Sequence, residues 1–397
     1  MSLSPVLKVT NLSIAFDKRV VNDLSFHVLP GKTTAIVGES GSGKTVSSMA
    51  VMGLLPSSAK IESGDFTSLK VGVDISMIFQ DPMSSLNPSM RVGDQVAEPL
   101  LVHKGMKADK AKSKVLELFA EVELPTPEAS FNKYPHELSG GQKQRIMIAM
   151  ALACDPKFII ADEPTTALDV TVQKTILNLL SRLQKERNLG VLFISHDLEV
   201  VKDISDYVIV MRLGDVIEEG ICKDVFGNPQ HEYTKELIAS RPQRDGNKTQ
   251  AGDSLIEACG VSLEYPIKKD LLGRVVENFV AVKNVNLAIG EGERVGLVGE
   301  SGSGKSSLGR LMLGMEPCTN GEVKWKGQAL DLNDLQEFKK GAQPVFQDPF
   351  SALNPRMRIG YALQEAVNLG GGKSTVAQLL EEVGLSAEDA EKYPGSF

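Results

Sequence analysis

Two eight-residue stretches of this 397-residue chain are nearly the same: Gly38-Glu39-Ser40-Gly41-Ser42-Gly43-Lys44-Thr45 and Gly299-Glu300-Ser301-Gly302-Ser303-Gly304-Lys305-Ser306. Each fits G-x-x-x-x-G-K-[ST], a turn that wraps phosphate in backbone N–H groups. A polyphosphate needs many donors at close range and little steric bulk. Gly38, Gly41 and Gly43, and in the second copy Gly299, Gly302 and Gly304, let the backbone bend around it, with Ser40 inside the first loop. The helix that starts near the lysine turns its positive end toward the anion. Lys44 and Lys305 add a full charge, and the hydroxyls of Thr45 and Ser306 are placed to hold Mg²⁺. Thr34-Ala35-Ile36-Val37 runs straight into the first loop as a buried strand should. The repeat therefore predicts one nucleotide-binding unit and the beginning of a second.

The text around the loops reads as α/β. Residues 7–29 alternate apolar and polar side chains, as in Leu24-Ser25-Phe26-His27-Val28, which predicts antiparallel strands with one covered face. Phe158-Ile159-Ile160-Ala161 and Val191-Leu192-Phe193-Ile194 are short, continuous and apolar, as strands covered on both faces are. Between them Val172, Ile176, Leu179, Leu180 and Leu183 mark one helical face, with Gly190 as its stop. Strand–helix–strand of this kind predicts a parallel sheet flanked by helices. Tyr207–Met211, the turn around Gly214-Asp215 and Val216–Glu218 read as a closing hairpin. An insert of helical character, including 108–122, lies between the first loop and the Phe158 strand. Residues 241–254 turn polar and read as a linker, after which the strand pattern restarts. The organisation expected is a complete unit over 1–240, a linker over 241–254 and a second unit over 255–397.

Composition narrows the function classes. The net charge of −8 argues against broad nucleic-acid binding, which depends on a basic surface. The N-terminus shows no signal-peptide pattern, and no apolar run approaches the length of about 18 residues that a membrane span needs. Cys154, Cys222, Cys259 and Cys318 form no C-x-x-C pair and read as reduced thiols. A membrane role, if there is one, comes through a partner.

Asp162-Glu163 follows the Phe158 strand directly. Beside a phosphate loop, the first carboxylate is placed to join a Mg²⁺ shell and the second to polarise an attacking water as general base. Leu138-Ser139-Gly140-Gly141-Gln142 is the most specific stretch. Ser139 and Gln142 are a capping box that opens a helix through Met150, while Gly140 and Gly141 favour close backbone approach to a ligand. With this pentapeptide the chain resembles the ATP-binding cassette (ABC) family over nearly its whole length. The resemblance implies a P-loop NTPase with a parallel core, an antiparallel β subdomain and a helical subdomain, one complete copy plus one incomplete copy. It implies ATP and Mg²⁺ as cofactors. It assigns Gln80 and Gln347 to the glutamine that senses metal and water, and Asp169, within Ala167-Leu168-Asp169, to the loop that meets the opposite cassette. His196 becomes the histidine facing the terminal phosphate, and Phe16 and Tyr265 the aromatics stacked on adenine. The other histidines, His27, His103, His136 and His231, have no such placing and read as structural.

The octapeptide after Gln80, Asp81-Pro82-Met83-Ser84-Ser85-Leu86-Asn87-Pro88, returns after Gln347 as Asp348–Pro355. With Asn228-Pro229-Gln230-His231-Glu232-Tyr233-Thr234-Lys235-Glu236-Leu237 it resembles the importers of oligopeptides, dipeptides, nickel and glutathione, and the fused cassettes of glutathione or microcin-type peptide importers. That branch implies two integral-membrane permease subunits, a periplasmic or lipid-anchored binding protein, cassette–cassette pairing, and a peripheral place on the cytoplasmic face of the inner membrane. The last residues, Tyr393-Pro394-Gly395-Ser396-Phe397, match the lead-in Tyr134–Leu138 of the first signature, so the second unit is expected to end before its own signature. On that expectation the second unit is poorly stable and the chain alone forms no complete hydrolytic site. A soluble twin-cassette ATPase acting on ribosomes or DNA is the alternative reading. A P-loop kinase leaves the Ser139 signature unexplained.

Overall fold

Alternation in the opening residues becomes an antiparallel pair, β1 (Leu7–Ala15) and β2 (Arg19–Val28), with Leu7 opposite Val28 and Ile14 opposite Val21. The side chains of Leu7, Val9, Leu12 and Ile14 are buried from the same strand. The computed structural model describes residues 4–166, 168–240, 252–269, 275–300, 302–346, 352–372 and 374–397. Two units emerge, Met1–Arg244 and Asp245–Phe397. Residues 241–251 of the expected linker lie outside the described residues, as do Gln347, Ser301, Ala167 and 348–351 of the second octapeptide.

In the first unit β3 (Thr33–Val37) leads into the glycine loop, and β4 (Lys60–Phe66) completes a three-stranded antiparallel sheet in the order β2-β1-β4. A second sheet holds β5 (Ile75–Ile78), β6 (Phe158–Asp162), β7 (Gly190–Ile194), β3, β8 (Tyr207–Arg212) and β9 (Asp215–Ile221), in that spatial order. Its first five strands are parallel, and β8 with β9 forms the antiparallel hairpin expected from the sequence. Every residue of β3 and β6 is buried, which is why neither shows alternation.

Helix α1 (Lys44–Val51) starts at the lysine of the loop. The insert supplies α2 (Pro82–Ser85), α3 (Val92–Lys104), α4 (Ala108–Glu121) and α5 (Pro127–Phe131). The apolar faces of α3, α4 and α5 share one core with α6 (Gly140–Leu152) and α7 (Val170–Arg187), through Val96, Leu118, Phe119, Phe131, Ile146 and Ile176. The opposite side is closed by α8 (Leu198–Ile204), α9 (Cys222–Gly227) and α10 (Glu232–Ala239).

Gly190 departs from its expected role. Helix α7 ends instead at Asn188, whose φ of 51° is left-handed, and Gly190 is already the first residue of β7. A Cβ there would sit 2.5 Å from Val6 Cγ2, so the glycine serves strand packing rather than helix termination. Asparagine tolerates the left-handed cap because its short amide can bond locally.

The C-terminal end of α7 is tied to α4 by charge. Arg187 donates Nε to Glu121 Oε1 at 2.7 Å and Nη2 to Glu121 Oε2 at 2.5 Å, while Nη1 reaches Asp155 at 2.7 Å. The pair is mostly covered, and the two-pronged geometry makes it stronger than a surface ion pair. Arg187→Met is expected to lower the stability of the first unit by about 2 kcal/mol. Far-UV circular dichroism during urea unfolding should show the loss. Fluorescence of Trp325, the single tryptophan and a residue of the second unit, should keep its midpoint.

The second unit has an antiparallel sheet of β10 (Ser254–Lys269), β11 (Val275–Gly290), β12 (Asn320–Trp325) and β13 (Gln328–Ala329), ordered β11-β10-β12-β13. Around it run α11 (Lys305–Met312), α12 (Gln336–Gly341), α13 (Ile359–Leu369) and α14 (Val376–Glu382). Ile256, Val261, Val282, Leu308 and Leu311 form its core, beside Trp325 set edge-on to Phe338. Nothing like β3 precedes the second glycine loop: residues 293–300 carry no strand, and Val298 is 93% exposed. Strand β3 is paired on both edges, by β7 and β8. Among the described residues of the second unit nothing takes those two places, and an isolated segment has no ladder to join. Among the described residues no helix is long and apolar enough to cross a membrane.

Candidate functional site

Parallel strands run in one direction, so the residues that follow them gather along one edge of the sheet. In the order β5-β6-β7-β3 that edge receives Gln80, then Asp162 with Glu163, then His196, then the loop Gly38–Thr45. Residues far apart in the chain become neighbours for this reason alone.

The loop is shaped by its glycines. Gly41 and Gly43 have φ of 80° and 97°, a region costly for other residues. At Gly38 a Cβ would lie 2.1 Å from the Met211 carbonyl oxygen. Lys44 curls back into the loop: Nζ donates to Gly38 O at 2.8 Å, Glu39 O at 2.7 Å and Ser42 Oγ at 3.4 Å. The side chain is only 6% exposed. Burial pushes the ammonium below the usual lysine range, an effect that Glu163, Asp162 and Glu39 partly oppose.

Asp162 closes β6 and is also buried, with Oδ1 accepting from Thr45 Oγ1 at 3.3 Å. Burial pushes its carboxyl up to about 6, against the Thr45 hydrogen bond and the Lys44 charge, with Glu163 adding to the rise. Glu163 follows in a left-handed conformation, φ 45°, which costs a residue with a Cβ about 1–2 kcal/mol. Its amide is held by Ile194 O at 2.9 Å. Three side chains then aim the carboxylate. Gln80 Nε2 and Thr166 Oγ1 both donate to Oε2, at 2.9 and 3.0 Å, and His196 Nδ1 meets Oε1 at 3.0 Å. Strain held by converging contacts at a strand end is a mark of a working site.

Other expected residues fall elsewhere. Ser139 and Gln142 form the capping box of α6, Ser139 Oγ accepting from Gln142 N at 3.3 Å and Gln142 Oε1 accepting from Ser139 N at 3.1 Å. A Cβ on Gly141 would lie 2.7 Å from Val172 Cγ1, so packing against α7 already requires that glycine, whereas Gly140 is open apart from Leu168 at 3.4 Å. Asp169 caps α7, accepting from Val172 N at 3.0 Å. Phe16 sits in the turn between β1 and β2, partly exposed. Tyr265 is similarly exposed, with its hydroxyl on Glu316. In the second unit Lys305 Nζ bonds Gly299 O, Glu300 O and Ser303 Oγ, and Gly302 and Gly304 repeat the positive φ values. Ser306 there is exposed, and Gln347 lies outside the described residues. Sequence reading missed Thr166, although its spacing three after Glu163 was visible, and Tyr233, whose hydroxyl accepts from Glu39 N at 3.3 Å and for which no local signal existed.

The sequence profile of the ABC transporter family matches residues 21–166 and 282–395. The chain belongs to the ABC transporter family. Over 99% of its length it is 38% identical to the glutathione import ATP-binding protein GsiA of Salmonella typhimurium strain LT2, of which it spans 73%. The protein of the same name from Escherichia coli strain K12 is 39% identical over the same spans. Among solved structures, cbiO1 from Clostridium perfringens, described as part of the ABC transporter complex cbiONQ, matches with a TM-score of 0.50 and 29% identity. That match covers 59% of this chain and 94% of the other. The cassette fold expected from the sequence is the fold observed in the first unit, and the chain is an ATP-binding ATPase of this family.

Proposed function

We propose that this chain is the ATP-hydrolysing subunit of a bacterial importer for peptides or related small solutes such as glutathione. The observation that carries the reading is the convergence of Gln80, Thr166 and His196 on the Glu163 carboxylate, beside the Lys44 loop. Lys44 and the loop amides hold the phosphates of ATP and stabilise charge on the transferring group. Glu163 takes the proton of the attacking water, while Gln80 and His196 orient its two oxygens. Ser139–Gln142 caps ATP from a facing cassette, and Phe16 stacks on adenine. In this reading residues 1–240 act as the complete cassette, 241–254 connect, and 255–397 carry the second loop with Lys305, Ser306 and Gln347, Tyr265 stacking there.

The donor set fits Mg²⁺. The Asp162 carboxylate and Thr45 hydroxyl are hard oxygen donors that already touch, and burial outweighs the Lys44 charge at Asp162, so a divalent cation there would offset the remaining cost of desolvation. Gln80 completes the set, and Ser306 is the equivalent donor of the second loop. The ion supplies charge neutralisation to the outer phosphate oxygens when bound. Asp162→Asn is expected to remove the gain in ATP affinity that Mg²⁺ confers on the parent protein; titrations with Mg²⁺ and with EDTA measure that gap.

Two permease subunits, a periplasmic or lipid-anchored binding protein, a second cassette, and a place on the cytoplasmic face of the inner membrane complete the proposal. The names of the relatives support import. Deleting the gene should abolish uptake of a radiolabelled peptide or glutathione and leave ribosome profiles unchanged. Undiminished uptake of each, with the protein sedimenting on ribosomes, would replace this reading with the other.

A further inference from the structure

We infer that Tyr233 is a positioning residue of the phosphate loop, its hydroxyl holding the Gly38–Glu39 peptide and through it the Lys44 ammonium. The inference rests on the reading of that loop as the ATP site. Asn228–Tyr233 served above only as a mark of a transporter branch; the fold gives it a place beside the loop.

The geometry passes through a single planar unit. In a trans peptide the C=O and N–H point in opposite directions. The N–H of Glu39 donates to Tyr233 Oη at 3.3 Å, and the C=O of the same peptide, on Gly38, accepts from Lys44 Nζ at 2.8 Å. Rotating that plane would turn the carbonyl away from the ammonium. With Tyr233 in place, the plane has a partner on each side.

Tyr233 is itself held on all sides. Its ring is 3% exposed, within a cluster that includes Val37, the residue before Gly38. The Arg212 guanidinium lies 4.6 Å from the ring centroid. Its backbone N–H donates to His231 Nδ1 at 3.1 Å, the cap of α10. The preceding turn is pinned to β9, where the Glu218 carboxylate accepts from Gln230 N at 2.9 Å and from His231 N at 3.1 Å. Burial works against the charge of Glu218, yet these amides help to outweigh it and hold the carboxyl below its usual range. The chain from β9 to α10 is thus a strap whose end meets a loop 194 positions earlier in sequence.

Tyr233→Phe keeps the ring, its packing and the Arg212 contact, and removes only the hydroxyl. The test uses the full chain carrying Lys305→Ala, so that titrations report the first loop alone. ATP affinity is expected to fall by about 2–10-fold, the loss of one hydrogen bond. Exchange of the Glu39 amide hydrogen, read without nucleotide, should quicken, and the melting temperature should hold. Unchanged Glu39 exchange and unchanged affinity would overturn the inference, as would a fall in affinity that merely follows a fall in melting temperature. A parent protein that binds no ATP would instead overturn the functional reading, while Glu39 exchange would still test the role of Tyr233.

Discussion

Glu163→Gln is expected to keep ATP bound and to slow its hydrolysis by about 100-fold or more, the usual contribution of a positioned base. The substitution is nearly isosteric, and the site is built to tolerate it. Gln80 and Thr166 both donate to Oε2, so an amide oxygen there would keep both bonds. The amide nitrogen would then face His196 Nδ1, which accepts in one of its neutral tautomers. What disappears is the ability to take a proton from water. Equilibrium binding and single-turnover hydrolysis separate the two effects. Unchanged turnover would remove Glu163 from the role of base. Lost binding would mean instead that the strained end of β6 had collapsed.

Lys44→Ala should weaken ATP binding by about 10–150-fold, the range for losing charged hydrogen bonds. The ammonium is buried with its donors on the loop's own carbonyls, so it is desolvated before any phosphate arrives. Burial lowers its pKa, and an incoming anion reverses that shift by favouring the charged form. The same burial means that alanine leaves Gly38 O and Glu39 O without their donor, so some stability is lost too. Calorimetric titration in a Lys305→Ala background isolates this site, and a melting curve reports the structural part. Parent-like affinity would exclude Lys44 from phosphate binding.

How much of this was legible depended on the range of the interaction. Strands β6, β7 and β8 could be read because residues such as Ile160 and Leu192 are apolar whichever neighbours they acquire. The Ser139–Gln142 cap could be read because it closes within four residues. Gly190 was misread because its need arises from Val6, on a remote segment that no local pattern reveals. The glycine at 141 was given a ligand as its reason, yet Val172 on α7 is a sufficient one. Val295, Leu297 and Val298 before the second loop are apolar yet form no strand, because a strand also needs a ladder to join.

The two glycine loops separate what each level decides. Lys44 and Lys305 make the same three contacts within their own loops, at 2.8, 2.7 and 3.4 Å in one and 2.7, 2.6 and 3.3 Å in the other. One has a strand before it and the other does not, so the lysine contacts need no preceding strand: they close within the segment, and its glycines can take the positive φ that the turn requires. The tertiary structure alone decided that Lys44 is buried while Lys305 is not, and that Glu163 meets Gln80 and His196, 83 and 33 positions away. Those contacts exist because β5, β6 and β7 pair in parallel and end on one edge, a matter of strand order that no local run of side chains encodes.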